Sequence, residues 1–327
     1  MKDLVGKFTN QLLDAIKIGA LAELNKTDQT FKNITITGLG GSGIGGKIVS
    51  QLVQDQLNVP ILISSNYTIP DYIDKHSLVI VSSFSGNTEE TLAAMKSAES
   101  KGAEIACITS GGKLEQWAKE KNYNHIILPI ERSPRAMLTY SMVQQFYLLN
   151  HYGFINDSFK KQILAAVELL NDKTDHLKEK AKLIASSFQS KTPVLYSEAS
   201  LEGATIRMRQ QINENAKQLC WHHVLPEMNH NELVGWAGGK NEYAVLFLRT
   251  SYDHPRSKVR MDICKNIISK YTDHLYEIFA EGNSLIEQTL YLILFGDWVS
   301  VYLADLNKVD SIEVNVIDYL KSELSKI

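Results

Sequence analysis

The chain has 327 residues, of which 44% are hydrophobic and 22% charged, and its formal net charge at pH 7 is -3. This length suits two domains of about 150 residues each, and the composition is that of a globular protein. The slightly negative charge gives no general attraction to nucleic acid or to an anionic membrane, so a phosphate site has to be built locally. We therefore expect neither a nucleic-acid partner nor a membrane partner.

The N-terminus and the cysteines favour a cytoplasmic protein. The first residues begin a polar-faced helix and lack the apolar core of a signal peptide. The longest apolar segment, 285–306, is interrupted by charged and amide side chains, so we do not expect it to span a bilayer. Cys107, Cys220 and Cys264 lie far apart, which predicts buried thiols in a reducing compartment rather than a disulfide framework or a zinc site.

The first half of the chain alternates short apolar, β-branched runs with helical patterns, after a leading helix over residues 4–24. Strands are expected at 34–39, 61–65, 78–83, 104–109 and 125–129. Helices are expected at 44–57, 89–101, 113–121 and 135–151. Continuously apolar strands joined by helices predict a parallel, doubly wound sheet with helices on both faces.

A highly charged helical segment over residues 153–189 separates this half from a second one. We read its charges as a solvated helix face and predict two domains, 1–152 and 153–327. The α/β alternation then resumes, with strands at 193–196, 243–248 and 274–278. Helices are expected at 203–219, 255–271, 285–306 and 311–326. The predicted fold class is therefore α/β, with two doubly wound, mostly parallel sheets.

The first strand runs into a glycine-rich turn, GLGGSGIGGK at 38–47. Glycines allow a ligand to approach the backbone, and the N-terminus of the following helix favours anions, so the turn predicts a phosphate site. Two other nucleotide patterns fit less well. A dinucleotide site needs a carboxylate after the second strand, where Ser64, Ser65 and Asn66 stand. A P-loop needs a hydroxyl residue after Lys47, where Ile48 stands.

A second polar turn follows the third strand, VSSFSGNTEET at 81–91. The hydroxyls of Ser83, Ser85 and Thr88, together with free backbone N–H groups, can donate to one phosphate without a net positive charge. Alternatively, Asn87 or Thr88 caps the next helix, whose first turn carries glutamates. Both interpretations can hold, because capping leaves Ser83 and Ser85 available.

The two turns resemble the phosphosugar-binding turns of sugar-isomerase (SIS) domains, and later motifs resemble the branch of bifunctional phosphoglucose/phosphomannose isomerases. The resemblance extends from Gly38 to Lys321. It implies two SIS domains and cofactor-independent interconversion of glucose 6-phosphate with fructose 6-phosphate through a cis-enediol(ate), a reaction of glycolysis and gluconeogenesis. Mannose 6-phosphate is implied as a further substrate. The residues implied to hold the substrate phosphate are Gly40, Gly41, Ser42, Ser83, Ser85 and Thr88.

Aldose–ketose isomerisation needs a base for the C1/C2 proton and a cation for the developing enediolate. Glu214 lies in NENAK at 213–217, which matches the family's catalytic-base motif, although alone it would be read as a surface glutamate. Arg135 follows Ser133 and Pro134 and opens a predicted helix, where its charge opposes the macrodipole. By resemblance, Arg135 is the arginine that stabilises the enediolate.

Ring opening needs an acid/base, and His230 lies in a polar loop, LPEMNHNE at 225–232. The family's histidine reaches the partner subunit's site, so a homodimer is implied. A metal site of His222, His223 and His230 is disfavoured, because no thiolate or regular carboxylate spacing accompanies them.

The active-site lysine of the family matches Lys321 in IDYLK at 317–321, and Lys308 is the rival candidate. The family commonly carries a threonine where this chain has Val314, a departure that bears on mannose 6-phosphate alone. A non-catalytic sugar-phosphate sensor is the alternative function. The chain shows no DNA-binding segment or basic patch for it, and Glu214, Arg135 and His230 together would have no purpose in a sensor.

Overall fold

The computed structural model describes residues 1–130, 133–324 and 326. The helices are α1 (Lys2–Gly6), α2 (Phe8–Leu21), α3 (Gly40–Leu52), α4 (Glu89–Ser100), α5 (Gly112–Glu120), α6 (Leu138–His151), α7 (Ser158–Asp172), α8 (Thr174–Phe188), α9 (Glu202–Ala216), α10 (Glu232–Gly235), α11 (Pro255–Ile268), α12 (Leu285–Leu306) and α13 (Asn315–Leu324). The strands are β1 (Asn33–Thr37), β2 (Ile61–Ser64), β3 (Ser77–Ser83), β4 (Glu104–Thr109), β5 (Asn124–Ile127), β6 (Thr192–Glu198), β7 (Trp221–Leu225), β8 (Tyr243–Arg249) and β9 (Leu275–Phe279).

The first sheet is parallel throughout, with strand order β2-β1-β3-β4-β5. Its central strand β3 is buried at every position, as expected for a strand covered by helices on both faces. On one face, Met95 of α4 and Leu114 of α5 pack against Val79 and Ile105. From β1 the chain continues to β2, at one edge of the sheet. From β3 it continues to β4, toward the opposite edge. The crevice at the carboxyl ends of β1 and β3 is therefore the topological switch point, where α/β sheets bind ligands.

The second sheet is also parallel, with order β7-β6-β8-β9, so its switch point lies between β6 and β8. Val245 and Phe247 of β8 pack with Met261 and Cys264 of α11 in its core. These two sheets confirm the predicted α/β class.

Strand β7 was not predicted. Its sequence, WHHVL, has two adjacent histidines, and only Leu225 is fully buried. As an edge strand it needs no continuous apolar run, which is the pattern that identified the other strands.

The chain forms two compact units. The first contains Gly6–Asp172 and Asn283–Glu287, and the second contains Met1–Val5, Lys173–Gly282 and the chain from Gln288 onward. Helix α7 thus lies with the first sheet, whereas the sequence placed the boundary at 152/153. The physical reason is packing, since Phe159 of α7 stacks on Phe146 of α6 with ring centroids 5.3 Å apart.

Helix α12 is a candidate membrane span by length and composition, which the sequence analysis did not predict. Of the helices in the described ranges, it is the one long and apolar enough to cross a membrane by length and composition. However, 83% of its most apolar window is buried inside the protein, which is the pattern of a core helix.

The predicted buried thiols are confirmed, because Cys107, Cys220 and Cys264 are all free and buried. Burial raises the pKa of the Cys107 thiol to about 12, so this group is an unreactive part of the core.

Candidate active site

The glycine turn joins β1 to the N-terminus of α3. Gly40 has φ +54°, the left-handed region that glycine adopts at little cost. Leu39, the residue before α3, provides no side-chain cap, so the first N–H groups of this helix are left for another acceptor. At Gly38 a Cβ atom would lie 2.6 Å from the Ser82 carbonyl oxygen, so glycine is what allows the ends of β1 and β3 to approach.

Ser42 connects this turn to the polar turn after β3. The Phe84 N–H donates to Ser42 Oγ at 3.2 Å, and Ser42 is buried. In the second turn, Ser83 Oγ and Thr88 Oγ1 lie 2.9 Å apart, and Ser85 Oγ accepts from the Asn87 N–H at 3.3 Å. The six residues predicted to hold phosphate are thus gathered at the switch point of the first sheet: Gly40, Gly41, Ser42, Ser83, Ser85 and Thr88.

The expected helix cap in the second turn is wrong. Thr88 precedes α4 but makes no side-chain capping bond, because its hydroxyl pairs with Ser83. Asn87 Nδ2 donates to the Ser85 carbonyl at 3.1 Å, and its Oδ1 accepts from the Lys113 N–H at 3.1 Å. Asn87 therefore shapes the turn and ties it to α5, and the first N–H groups of α4 are left uncapped by Thr88.

Arg135 lies beside the glycine turn. It belongs to a 3-10 turn, Pro134–Met137, and the α-helix begins only at Leu138, so the helix predicted from residue 135 starts later. A Cβ atom on Gly41 would lie 3.8 Å from Arg135 Cα, which shows how closely the two backbones approach. Arg135 is also buried, at 8% exposure. The backbone of this positively charged residue therefore lies next to the glycine turn.

The switch point of the second sheet is filled by the protein itself. Glu198, at the end of β6, accepts from Ser257 Oγ at 2.9 Å and from the His254 N–H at 3.0 Å. Both donors lie at the N-terminal end of α11, where an anionic ligand would otherwise be favoured. A buried carboxylate repels phosphate, so the first sheet holds the candidate anion site.

Glu214 lies in the last turn of α9 and is half-buried. Buried polar side chains fix this helix against α12. Arg207 donates to both carboxylate oxygens of Asp297, at 3.2 and 3.0 Å, and Asn215 Nδ2 donates to Ser300 Oγ at 2.9 Å. The residue next to Glu214, Asn215, is thus anchored in the core, while Glu214 itself is half-buried.

His230 ends a 3-10 turn, Glu227–His230, and is exposed. The chain beyond it is anchored by Glu232, which bonds the Tyr196 hydroxyl and lies 2.8 Å from His223 Nδ1. Trp236 Nε1 also donates to the Tyr196 hydroxyl, at 2.9 Å. Burial, followed by the bond to Glu232, raises the pKa of Tyr196, so the phenol stays protonated as a donor. Sequence reasoning missed this network because its members are distant in the chain and meet only through the sheet.

Lys321 is exposed on α13, a helix without buried residues. Lys308 is exposed in the turn after α12, with φ 56°. Val314 immediately precedes α13, and its carbonyl accepts from the Ile317 N–H at 2.8 Å. That Lys321, rather than Lys308, is the active-site lysine stays a prediction.

The structure therefore brings together the phosphate turns and Arg135 in the first unit. In the second unit, Glu214, His230 and Lys321 lie on separate elements. Within residues 1–130, 133–324 and 326, no group of three histidine, cysteine or acidic side chains is arranged to hold a metal ion.

The fold and these turns define a class. Residues 30–152 match the SIS domain family, and residues 177–324 match the family of bacterial phospho-glucose isomerase C-terminal SIS domains. The fold is shared with the C-terminal domain of glucosamine-fructose-6-phosphate aminotransferase from Francisella tularensis, with a TM-score of 0.75 at 13% identity. That similarity covers 94% of this chain and 97% of the other. The chain is thus a two-domain SIS protein.

Similar sequences, aligned over most of the chain, identify the family within the SIS class. The chain is 36% identical to the bifunctional phosphoglucose/phosphomannose isomerase of Caldicellulosiruptor bescii, over 100% of this chain and 99% of that protein. It is 35% identical to the D-glucosamine-6-phosphate 4-epimerase of Sulfolobus acidocaldarius, over 90% of this chain and 89% of that protein. The chain belongs to the family of bifunctional phosphoglucose/phosphomannose isomerases.

Proposed function

We propose that this protein interconverts glucose 6-phosphate and fructose 6-phosphate, and that it also converts mannose 6-phosphate to fructose 6-phosphate. The observation that carries the proposal is the pair of phosphate turns at the first switch point, with Arg135 buried beside them. We further propose that the reaction serves glycolysis and gluconeogenesis in the cytoplasm, where three buried free thiols remain reduced.

The substrate phosphate would be held by uncapped N–H groups at the start of α3 and by hydroxyls of the second turn. Both kinds of donor suit a dianion, and neither requires a chain of net positive charge. Holding the phosphate at a fixed point also fixes the sugar carbons that react.

In the open-chain aldose, the Glu214 carboxylate would remove the proton from C2. The released electron pair forms the C1–C2 double bond, and the former carbonyl oxygen at C1 takes the negative charge. Arg135 would stabilise this enediolate electrostatically. A proton then passes from the C2 hydroxyl to the C1 oxygen, so that the negative charge lies on the C2 oxygen. Glu214 returns the abstracted proton to C1 as this charge collapses into the C2 ketone. His230 and a lysine, Lys321 or Lys308, would move the protons that open the sugar ring.

A coupled assay on fructose 6-phosphate and mannose 6-phosphate in EDTA tests the proposal. Turnover should survive chelation, because protons move within one bound sugar. Glu214→Gln keeps the size of the side chain and removes the base, so kcat should fall roughly 100- to 10,000-fold with an unchanged melting temperature. Glu179→Gln, at an exposed site on α8, is the matched control and should keep full activity. Full activity in Glu214→Gln, or turnover that requires an added metal, would overturn the mechanism.

Two further outcomes identify other functions. Since one relative is a D-glucosamine-6-phosphate 4-epimerase, the same protein should be incubated with glucosamine 6-phosphate and the C4 configuration followed by NMR. Inversion at C4 without aldose–ketose exchange would replace the isomerase proposal. Tight binding of fructose 6-phosphate without any turnover by the wild type would instead support the sensor.

We also propose a homodimer in which His230 acts in the partner's site. His230 is exposed at the end of its turn. Helix α13 exposes apolar side chains, with Val316 81% and Tyr319 68% accessible, which an association between subunits could cover.

A further inference from the structure

Lys217 is the residue that follows α9, three positions after Glu214. Its backbone is left-handed, with φ 52° and ψ 39°. Helices commonly end in this conformation, but glycine is the usual residue there because it has no Cβ to clash. A lysine at such a position costs free energy, which points to a purpose for its side chain.

The Lys217 ammonium group has three N–H donors, and all three have backbone partners. Nζ lies 2.8 Å from the Glu214 carbonyl, 2.7 Å from the Asp310 carbonyl and 2.7 Å from the Glu313 carbonyl. The first of these is one of the terminal carbonyls that a helix leaves without an internal partner. The other two belong to the turn that leads into α13. A single charged group therefore joins the end of α9 to the start of the C-terminal helix.

A second side chain supports the same junction. Asn307 Nδ2 donates to the Ala216 carbonyl at 3.0 Å and to Gln218 Oε1 at 2.9 Å. By contrast, α13 has no buried residue that could hold it through core packing. The turn before it connects α13 to the rest of the second unit, and Lys217 holds that turn at two points.

We propose that Lys217 is a positioning residue for the isomerase reaction. It holds the backbone of Glu214 and fixes the turn from which α13, with Lys321, departs. This inference rests on the proposed function, since it gives Lys217 a purpose through Glu214 and the C-terminal helix. Lys217 itself exchanges no proton with the substrate.

Lys217→Gly separates positioning from stability. Glycine relieves the left-handed backbone while the loss of the ammonium group removes three hydrogen bonds, so the two effects oppose each other and the melting temperature should change by only about a few degrees. If Lys217 positions the base, kcat on fructose 6-phosphate should fall at least about tenfold, with KM within about twofold of the wild-type value. Lys217→Met, which keeps the aliphatic stem, should show the same loss of kcat.

Hydrogen exchange of the free protein gives a readout that does not depend on activity. Amides of residues 311–324 should exchange faster in Lys217→Gly than in the wild type, because the turn before α13 has lost two of its bonds. Ser190→Gly is the matched control, since Ser190 is also left-handed and follows α8 in the same unit. It should change neither kcat nor exchange in 311–324.

The possible failures are distinguishable. A wild-type protein without isomerase activity would overturn the proposed function itself. An active wild type together with a Lys217→Gly variant of unchanged kcat and unchanged exchange would overturn only the role of Lys217. A Lys217→Gly variant with a lowered melting temperature and normal kcat would make Lys217 a structural cap, which also contradicts the proposal.

Discussion

Ser42 is the residue through which the two phosphate turns touch. Its hydroxyl accepts from the backbone of Phe84, and it stands at the start of α3 among glycines that could not replace this bond. An anion held here would accept hydrogen bonds from both turns at once, so the distance between the turns determines how well the site fits that anion.

Ser42→Ala should therefore weaken substrate binding more than it weakens the fold. Loss of one hydrogen bond between neutral groups costs about 1 kcal/mol of folding free energy. We expect KM for fructose 6-phosphate to rise about tenfold with a smaller change in kcat, because the phosphate is bound equally in the ground state and the transition state. Steady-state kinetics check this. Ser50→Ala, farther along α3 where the hydroxyl bonds the Lys47 carbonyl, is the control and should leave KM unchanged.

Helices α9 and α12 are joined by a buried ion pair. Arg207 and Asp297 are 2% and 5% exposed, and their bidentate geometry satisfies both charged groups. Such a pair orients the helix that carries Glu214, but removing one partner leaves a buried charge unpaired.

Asp297→Asn should destabilise the protein by about 3–5 kcal/mol, measured by urea unfolding. Arg207→Met should have a similar cost. Combining Arg207→Met with Asp297→Leu should recover much of the loss, since an apolar pair leaves no unpaired charge. Lys119→Met, which removes an exposed pair with Glu115, serves as the control and should cost less than about 1 kcal/mol. Additive losses in the double variant would contradict this account.

A second contact between elements, from α9 to β7, makes stability depend on pH. Arg209 Nη1 lies 3.2 Å from His222 Nδ1, and arginine can only donate, so His222 is neutral and accepts at Nδ1. Burial, and then the charge of Arg209, lowers the pKa of His222. The unfolded chain takes up a proton on this histidine below about pH 6.5, whereas the folded protein resists it. The contribution of this contact to stability is therefore complete above about pH 6.5. It is lost as the pH falls toward the lowered pKa of His222 in the folded protein.

His222→Asn keeps an acceptor near the position of Nδ1 and removes the titration. Between about pH 7.5 and 5, we expect the variant to lose less unfolding free energy than the wild type, measured by urea unfolding at each pH. His176→Asn removes an exposed histidine of α8 and should follow the wild-type slope. Equal slopes for wild type and His222→Asn would show that this contact does not titrate as described.

The two sheets of the protein have similar topologies but different side chains at their switch points. The first is lined by glycines and hydroxyls, and the second is closed by Glu198, bonded to Ser257. We therefore do not expect a second phosphate site in the second unit, and we propose that this unit supplies catalytic groups instead. Its exposed loop and C-terminal helix are the parts that we propose act between subunits.

Mixing two inactive variants tests the shared site. If His230 acts in the partner's site, Glu214→Gln and His230→Ala chains mixed and reassociated should regain about a quarter of wild-type activity, since half of the dimers then contain one complete site. Activity that stays at the level of the separate variants, with a dimer seen by analytical ultracentrifugation, would place His230 in its own chain's site. A monomer would rule out the homodimer directly.

The sequence alone determined the features that depend on local chemistry. Continuous apolar runs identified β1, β3 and β8 as strands of parallel sheets, and the glycines at 38–47 identified the turn between β1 and α3, because side-chain period and backbone conformation are set within a few residues. It did not reveal β7, whose edge position relaxes that pattern, or the packing that keeps α7 with the first unit.

Only the tertiary structure decided which distant groups meet. That Ser42 bonds Phe84, that Gly41 lies against Arg135, and that Lys217 holds the turn at 310–313 all depend on which elements are neighbours. Those neighbours are fixed by the order of strands and the burial of helix faces, which involve the whole chain at once. The residues of the candidate site could be named from motifs, whereas the partners that hold them in place could not.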